Sequence, residues 1–290
     1  MRLRRCCLLG LPLLILSVSV SAYADPILGP DLSTFAVLGH TGVTNVPTST
    51  IGGNLGSAPN ASVGGGYTFT SGSIQANTAL ANLAQGELTT AIGDLNSLAG
   101  TATVLTNGDL TLDGPLAPGV YFVPFATSNL TGSLTLNGGG NANAAWVFLM
   151  QSSLITSTGS AVNLINTGPG AGVFWDVRSS ATLGTSSTMQ GNILALTSIT
   201  MGNAVTLNCG RALASTGDVT LISDTISTTG CSGSLSGSSG LGGGLTVPPG
   251  GGTPSQLPFS PVPEPGVLLL LGPGLLIGKT WMRYAKAHRD

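Results

Sequence analysis

The chain has 290 residues, 42% of them hydrophobic and only 7% charged, with 44 glycines and a net charge of -2. Between its two ends it holds two basic residues, Arg178 and Arg211, so it lacks the basic footprint that neutralises phosphates and nucleic acid is excluded as a partner. Low charge with abundant Gly, Ser, Thr and Asn would suit disorder, but Val, Ile and Leu recur throughout, so a core can be buried.

The first segment is a targeting sequence. Arg2, Arg4 and Arg5 precede an apolar run from Cys6 to Val20, then Ser21-Ala22-Tyr23-Ala24. Ala22 and Ala24 form an A-x-A cleavage pattern, which predicts a signal peptide over 1–24 and a mature start at Asp25. An uncleaved anchor helix is the other reading of the same run.

Residues 25–231 read as the folded domain. Two distant stretches share one phrase: STIGGNL at 49–55 and STMQGNI at 187–193. Residues 145–162 (AWVFLMQSSLITSTGSAV) lie over 172–189 (GVFWDVRSSATLGTSSTM) without a gap, and NAVTLNCGRAL and ISDTIS extend the alignment. One column then reads Thr50, Ala161, Thr188, Thr206, Thr225, and the next Ile51, Val162, Met189, Leu207, Ile226. Such pairs recurring at roughly 20–30 residues are the mark of a solenoid. Successive strand side chains point to opposite faces, so the aliphatic column stacks inward and the Thr column outward. Gly53-Asn54 and Gly191-Asn192 are predicted corners, because Gly permits positive φ and Asn tolerates it.

Two strands break the alternation. Ala145–Met150 is apolar throughout and Val173-Phe174-Trp175 nearly so, as in strands covered on both sides. The predicted cover is a helix over 73–99, where Ile74, Leu80, Leu83, Ala84, Leu88, Ala91, Ile92, Leu95 and Leu98 recur at threes and fours. The fold class is therefore mainly β, a solenoid with one long helix packed over the Trp146 and Phe174 face.

Cys209 and Cys231 are the two cysteines left after signal removal. In an exported chain they are expected to pair as a disulfide; a metal site is the weaker reading, because no histidine is near in sequence. From 232 to 262 the chain is a Gly/Ser/Pro linker. Pro263-Glu264-Pro265, an apolar stretch and a basic end at Lys279, Arg283, Lys286 and Arg289 follow. This tail, 263–290, resembles the PEP-CTERM sorting signal of Gram-negative bacteria, which implies an exosortase-type enzyme as partner and a transient membrane anchor through residues 266–282.

The folded part resembles the microbial ice-binding proteins. The carriers are FAVLGHTGVTN, PTSTIGGNLG, the helical insert, LAPGVYF at 116–122, VFWDVRSSATLGTSSTMQGNILALTSIT and NCGRALASTGDVTL. The resemblance implies a discontinuous β-solenoid with a helix alongside, adsorption to an ice crystal through a flat solenoid face, and no cofactor or metal. Some members carry a T-(A/G)-x-(T/N) motif on that face. Here it is met loosely by Thr158-Gly159-Ser160-Ala161, Thr185-Ser186-Ser187-Thr188, Asn203-Ala204-Val205-Thr206 and Ile222-Ser223-Asp224-Thr225. The candidate ice-binding residues are Thr50, Thr158, Thr185, Thr188, Asn203, Thr206 and Thr225. Residues three apart on a regular strand face opposite ways, so the two ends of the motif come together only if the backbone bends between them.

Stacked Thr makes a stiff array of hydroxyls and methyls, since a β-branched side chain has little χ1 freedom to lose on adsorption. The alternative function is a non-catalytic structural or glycan-adhesive protein of the extracellular matrix. An enzyme is disfavoured: the folded part has one histidine, His40, and no lysine. Asp176 and Arg178 are read as a surface ion pair, and Asp109 and Asp113 as caps of a turn.

Overall fold

Period-two alternation ended by Gly or Asn, with no hairpin pairing signal, leaves each short strand to pair with its equivalent one coil away. The computed structural model describes residues 27–228; the signal peptide, Cys231, the linker and the sorting tail lie outside them. Every strand pairing is parallel, in a 14-stranded and a 7-stranded sheet. The larger sheet bends at corners, so the solenoid has three faces.

Face A runs through Thr103–Val104, Gly119–Val123, Ala145–Met150 and Gly172–Val177, then the second halves of Thr188–Ala195 and Thr206–Ala214, then Phe35–Gly39, Asn54–Ser57 and Ile74–Ala76. Face B is the 7-stranded sheet: Thr127–Leu130, Ser153–Thr156, Ala181–Leu183, Ile199–Asn203, Asp218–Ile222, Gly42–Asn45 and Val63–Gly64. Face C comprises Ser133–Asn137, Ala161–Ile165, the first halves of Thr188–Ala195 and Thr206–Ala214, then Thr225–Ser227, Ser49–Gly52 and Tyr67–Ser71.

The solenoid is discontinuous in chain order. The first coils stack on the last ones, with Val37 beside Ala212, Val43 beside Val219 and Thr50 beside Thr225. The corners between faces C and A are where Gly was expected: φ is +142° at Gly53 and +85° at Gly191. A Cβ at Gly191 would lie 2.3 Å from the Val173 carbonyl oxygen, so both conformation and space demand Gly there.

Helix α1 spans Ala79–Ser97 and continues into a short 3₁₀ turn, Leu98–Thr101. Thr78 caps it, its hydroxyl accepting from Ala81 N–H at 3.2 Å. The helix starts later than the apolar spacing predicts. Ile74 belongs to a strand beside Leu55 and is 47% exposed, because the last coil of face A is completed before the chain turns away. Leu83 is 59% exposed. Ala81, Ala84, Leu88, Ala91, Ile92 and Leu95 form the buried stripe, joined by Leu98 and, partly buried, Leu80.

The helix covers face A, and its second core contains Ala145, Val147, Leu149, Phe174, Leu194 and Leu213. Phe174 lies where the sequence puts it; Trp146 does not. Trp146 points inside the solenoid with Phe148, Met150 and Trp175, and its indole N–H donates to the Leu116 carbonyl at 3.1 Å. An indole needs an acceptor when buried, and the solenoid interior supplies it. Other aromatic residues follow the same parity. Tyr121, Phe148 and Trp175 form an inner ladder, with centroids 5.6 and 4.3 Å apart, and Phe69 stacks under Ile51.

Asp176 is a further correction. It lies on the helix-covered side of its strand between Leu149 and Leu194, fully buried, with no hydrogen bond to either carboxylate oxygen. Arg178 is exposed, so the two do not make a surface pair. Burial pushes the Asp176 carboxyl up to about 7, against a smaller opposing pull from Arg178. Asp109 does cap a turn, its Oδ1 accepting from Thr111 N–H at 3.0 Å. No helix among the described residues is long and apolar enough to cross a membrane.

Candidate functional site

The predicted Thr column is in register. Ser133, Ala161, Thr188, Thr206, Thr225, Thr50 and Thr68 are successive partners along face C. Behind them Leu134, Val162, Met189, Leu207, Ile226 and Ile51 are buried. Neighbouring coils are about 4.7–4.9 Å apart, so the column is a straight row at that spacing.

The four-residue motif turns the corner from face B to face C. Its second residue takes a left-handed conformation in every copy: φ is 71° at Gly159, 57° at Ser186, 60° at Ala204 and 55° at Ser223. Its third residue, Ser160, Ser187, Val205 or Asp224, is buried. The corner is itself a ladder. The amides of Gly159, Ser186 and Ala204 donate to the carbonyls of Thr185, Asn203 and Ile222, each at 2.9 Å. The bend between the motif's ends therefore exists, and it sets them on two sides of one edge. Thr158, Thr185 and Asn203 are exposed along the rim of face B; Thr188, Thr206, Thr225 and Thr50 lie around the edge on face C.

Asp224 holds the corner from within. Its carboxylate accepts from Val205 N–H at 2.8 Å and Ile222 N–H at 2.7 Å, and its own N–H donates to Ser49 Oγ at 2.8 Å. Burial raises its carboxyl to about 6 despite those two donors. Below the edge Ser49 Oγ donates to Asn45 Oδ1 at 2.8 Å.

A second row, on face B, is not among the residues singled out from sequence. Asn129, Ile155, Thr182, Thr200, Thr220, Thr44 and Gly64 are successive register partners. Thr182, Thr200 and Thr44 are exposed and Thr220 half-buried. The signal was present as Thr182-Leu183-Gly184-Thr185 beside Thr200-Met201-Gly202-Asn203 and Thr220-Leu221-Ile222. The motif copies begin at Thr185 and Asn203, three positions after the row, so columns counted from the motif do not meet it. Gly184 and Gly202 keep the rim low; a Cβ at Gly184 would lie 2.4 Å from the Ser157 backbone carbon.

The two rows differ in their neighbours. On face C the next outward row carries longer amides, Asn163, Gln190 and Asn208. On face B the residues beside Thr182 and Thr200 are Ser180, Ser198, Gly184 and Gly202. These neighbours are serines and glycines, no larger than Thr itself. Among the described residues no three of His, Cys, Asp and Glu are grouped to hold a metal ion. Cys209, at the corner between faces C and A, is buried.

The ice-binding-like family model matches residues 37–227. The chain is 41% identical over 200 residues to an ice-binding protein of Nostoc sp. (strain HG1), covering 67% of this chain and 71% of the relative. It is 30% identical over 207 residues to an ice-binding protein of Flavobacterium frigoris (strain PS1), covering 67% and 73%. The crystal structure of an ice-binding protein from the Antarctic ascomycete Antarctomyces psychrotrophicus superposes with a TM-score of 0.60 at 32% identity, over 69% of this chain and 97% of that one. With its parallel three-faced solenoid, covering helix and in-register threonine rows, this chain belongs to the ice-binding-like family.

Proposed function

We propose that this protein adsorbs to ice through the face B threonine row and the rim beside it, Thr158, Thr185 and Asn203. The face C row of Thr50, Thr188, Thr206 and Thr225 forms a second flank of the same edge. The observation that carries this reading is the run of Thr182, Thr200, Thr220 and Thr44 on four successive coils. Same-face residues along a strand are about 6.5–7 Å apart and coils about 4.8 Å apart, so the rows make a rigid two-dimensional grid. Stiff Thr rotamers lose little entropy on adsorption. The long amides on face C are the reason to rank face B first. No catalytic role is assigned: among the described residues, the one charged side chain beside the face B row is Asp218.

The same reading has the protein working outside the cell. Residues 1–24 would export it, residues 263–290 would bring it to an exosortase-type enzyme at the membrane, and Cys209 would pair with Cys231.

Thermal hysteresis and ice-recrystallisation assays test the proposal. The protein should show both. Thr200→Tyr should abolish most of the activity with the fold intact, because one protruding ring holds a flat crystal plane away from its neighbours. A surface change of this kind moves stability by less than about 0.5 kcal/mol. Thr206→Tyr reports on face C in the same way. Full activity in folded Thr200→Tyr with loss in Thr206→Tyr would move the ice face to face C, and no activity in the unsubstituted protein would leave the matrix-protein reading in its place.

A further inference from the structure

A carboxylate beside an ice-facing row needs a reason, since charge holds hydration water in its own geometry. On face B the position one outward step before the Thr row is Ser180, Ser198 and Gly42 on neighbouring coils, and Asp218 on the coil of Thr220. Asp218 Oδ1 accepts from Ser198 Oγ at 2.8 Å, and Asp218 N–H donates to Ser198 Oγ at 3.3 Å. Asp218 Oδ2 accepts from Thr220 Oγ1 at 3.3 Å. Thr220 Oγ1 lies 3.3 Å from Thr44 Oγ1.

The proton count along this chain has one solution. A hydroxyl has one proton and two lone pairs, and an ionised carboxylate only accepts. Thr220 therefore spends its proton on Asp218. It can then only accept from Thr44, which spends its proton on Thr220. The order runs in one direction, Thr44 to Thr220 to Asp218, and each hydroxyl keeps a lone pair to spare. Without an acceptor at the end, either of the two hydroxyls could donate to the other.

We propose that Asp218 is a positioning residue of the ice-facing row, fixing the proton order of Thr220 and Thr44 before ice arrives. The inference rests on face B being the ice face. Its value is preorganisation: two rotors already oriented need not be ordered on adsorption, and a chain of bonds ending in a charge polarises each member.

Two variants test it. Asp218→Asn keeps the shape. If Ser198 still donates to the side-chain oxygen, the amide nitrogen faces Thr220 and reverses the order, so that Thr220 donates to Thr44. Asp218→Ala removes the acceptor outright. Both should melt as the unsubstituted protein does, and thermal hysteresis should fall about twofold in Asp218→Ala, where neither rotor is held, and less in Asp218→Asn, where both are held in the reverse order. Proton NMR in supercooled solution should show the Thr220 hydroxyl proton leaving its orientation toward residue 218 in the alanine variant. A purely structural role would not lower hysteresis at an unchanged melting temperature, and simple charge removal would maintain or raise it. Full hysteresis in both variants, or an unchanged Thr220 proton in Asp218→Ala, overturns the proposal. Thr200→Tyr assayed alongside separates it from its premise. If that variant stays active, face B is not the ice face and both fall; if it is inactive while the Asp218 variants are fully active, only the role of Asp218 falls.

Discussion

Phe148 and Trp175 stack ring on ring across two adjacent coils, with centroids 4.3 Å apart and planes 8° from parallel. They are register partners on face A whose side chains point into the solenoid. The stack carries on to Tyr121 and fills the interior where the helix cannot reach. Phe148→Ala should cost about 3–5 kcal/mol, the usual range for emptying an aromatic site in a packed core. Denaturant unfolding would measure it. A cost under 1 kcal/mol would mean the interior collapses around the gap.

The helix separates two kinds of apolar residue that look alike in sequence. Leu88 is fully buried against face A, whereas Leu83 is mostly exposed. Leu88→Asp should lower the melting temperature sharply, because it drives a charge into an apolar seam, while Leu83→Asp should leave it nearly unchanged. Thermal unfolding followed by circular dichroism compares the pair. Equal effects would contradict the packing of α1.

Asp176 makes stability depend on pH. Burial under α1 raises its folded-state carboxyl to about 7, above the ordinary carboxylate range. The unfolded chain therefore ionises first as pH rises. The protein is most stable, in this respect, below about 4, and it loses stability progressively as pH climbs to about 7. Arg178, just past the end of that strand, is the cation that offsets part of this. Asp224, raised to about 6, slopes the same way. Asp176→Asn should raise the melting temperature at pH 8 and leave it close to the parent value at pH 4. A parent protein whose melting temperature rises between pH 5 and 8, with the asparagine variant parallel to it, would count against this account.

The recurrence of Thr beside an aliphatic residue, coil after coil, was legible in the sequence. In a parallel, in-register stack the repeat of the chain becomes the repeat of the structure, so Thr188, Thr206 and Thr225 had to form one row if they formed a solenoid at all. The corner glycines were legible too, because a positive φ admits few residues. The parity of Ala145–Met150 was not. When both sides of a strand are apolar, alternation carries no information, and only packing decides that Trp146 turns inward to an acceptor and Val147 outward to the helix. Burial of Asp176 follows from the same parity: it shares a side with Phe174, which the helix covers. Nor could spacing reveal that Thr44 completes the row of Thr182, Thr200 and Thr220. Its coil comes first in the chain and lies beside the late coil of Thr220 in space, because the inserted helix carries the chain from one end of face A to the other. The candidate face is thus a product of stacking order, and the proton order along it depends on Asp218 and Thr44, 174 positions apart in the chain, meeting at Thr220.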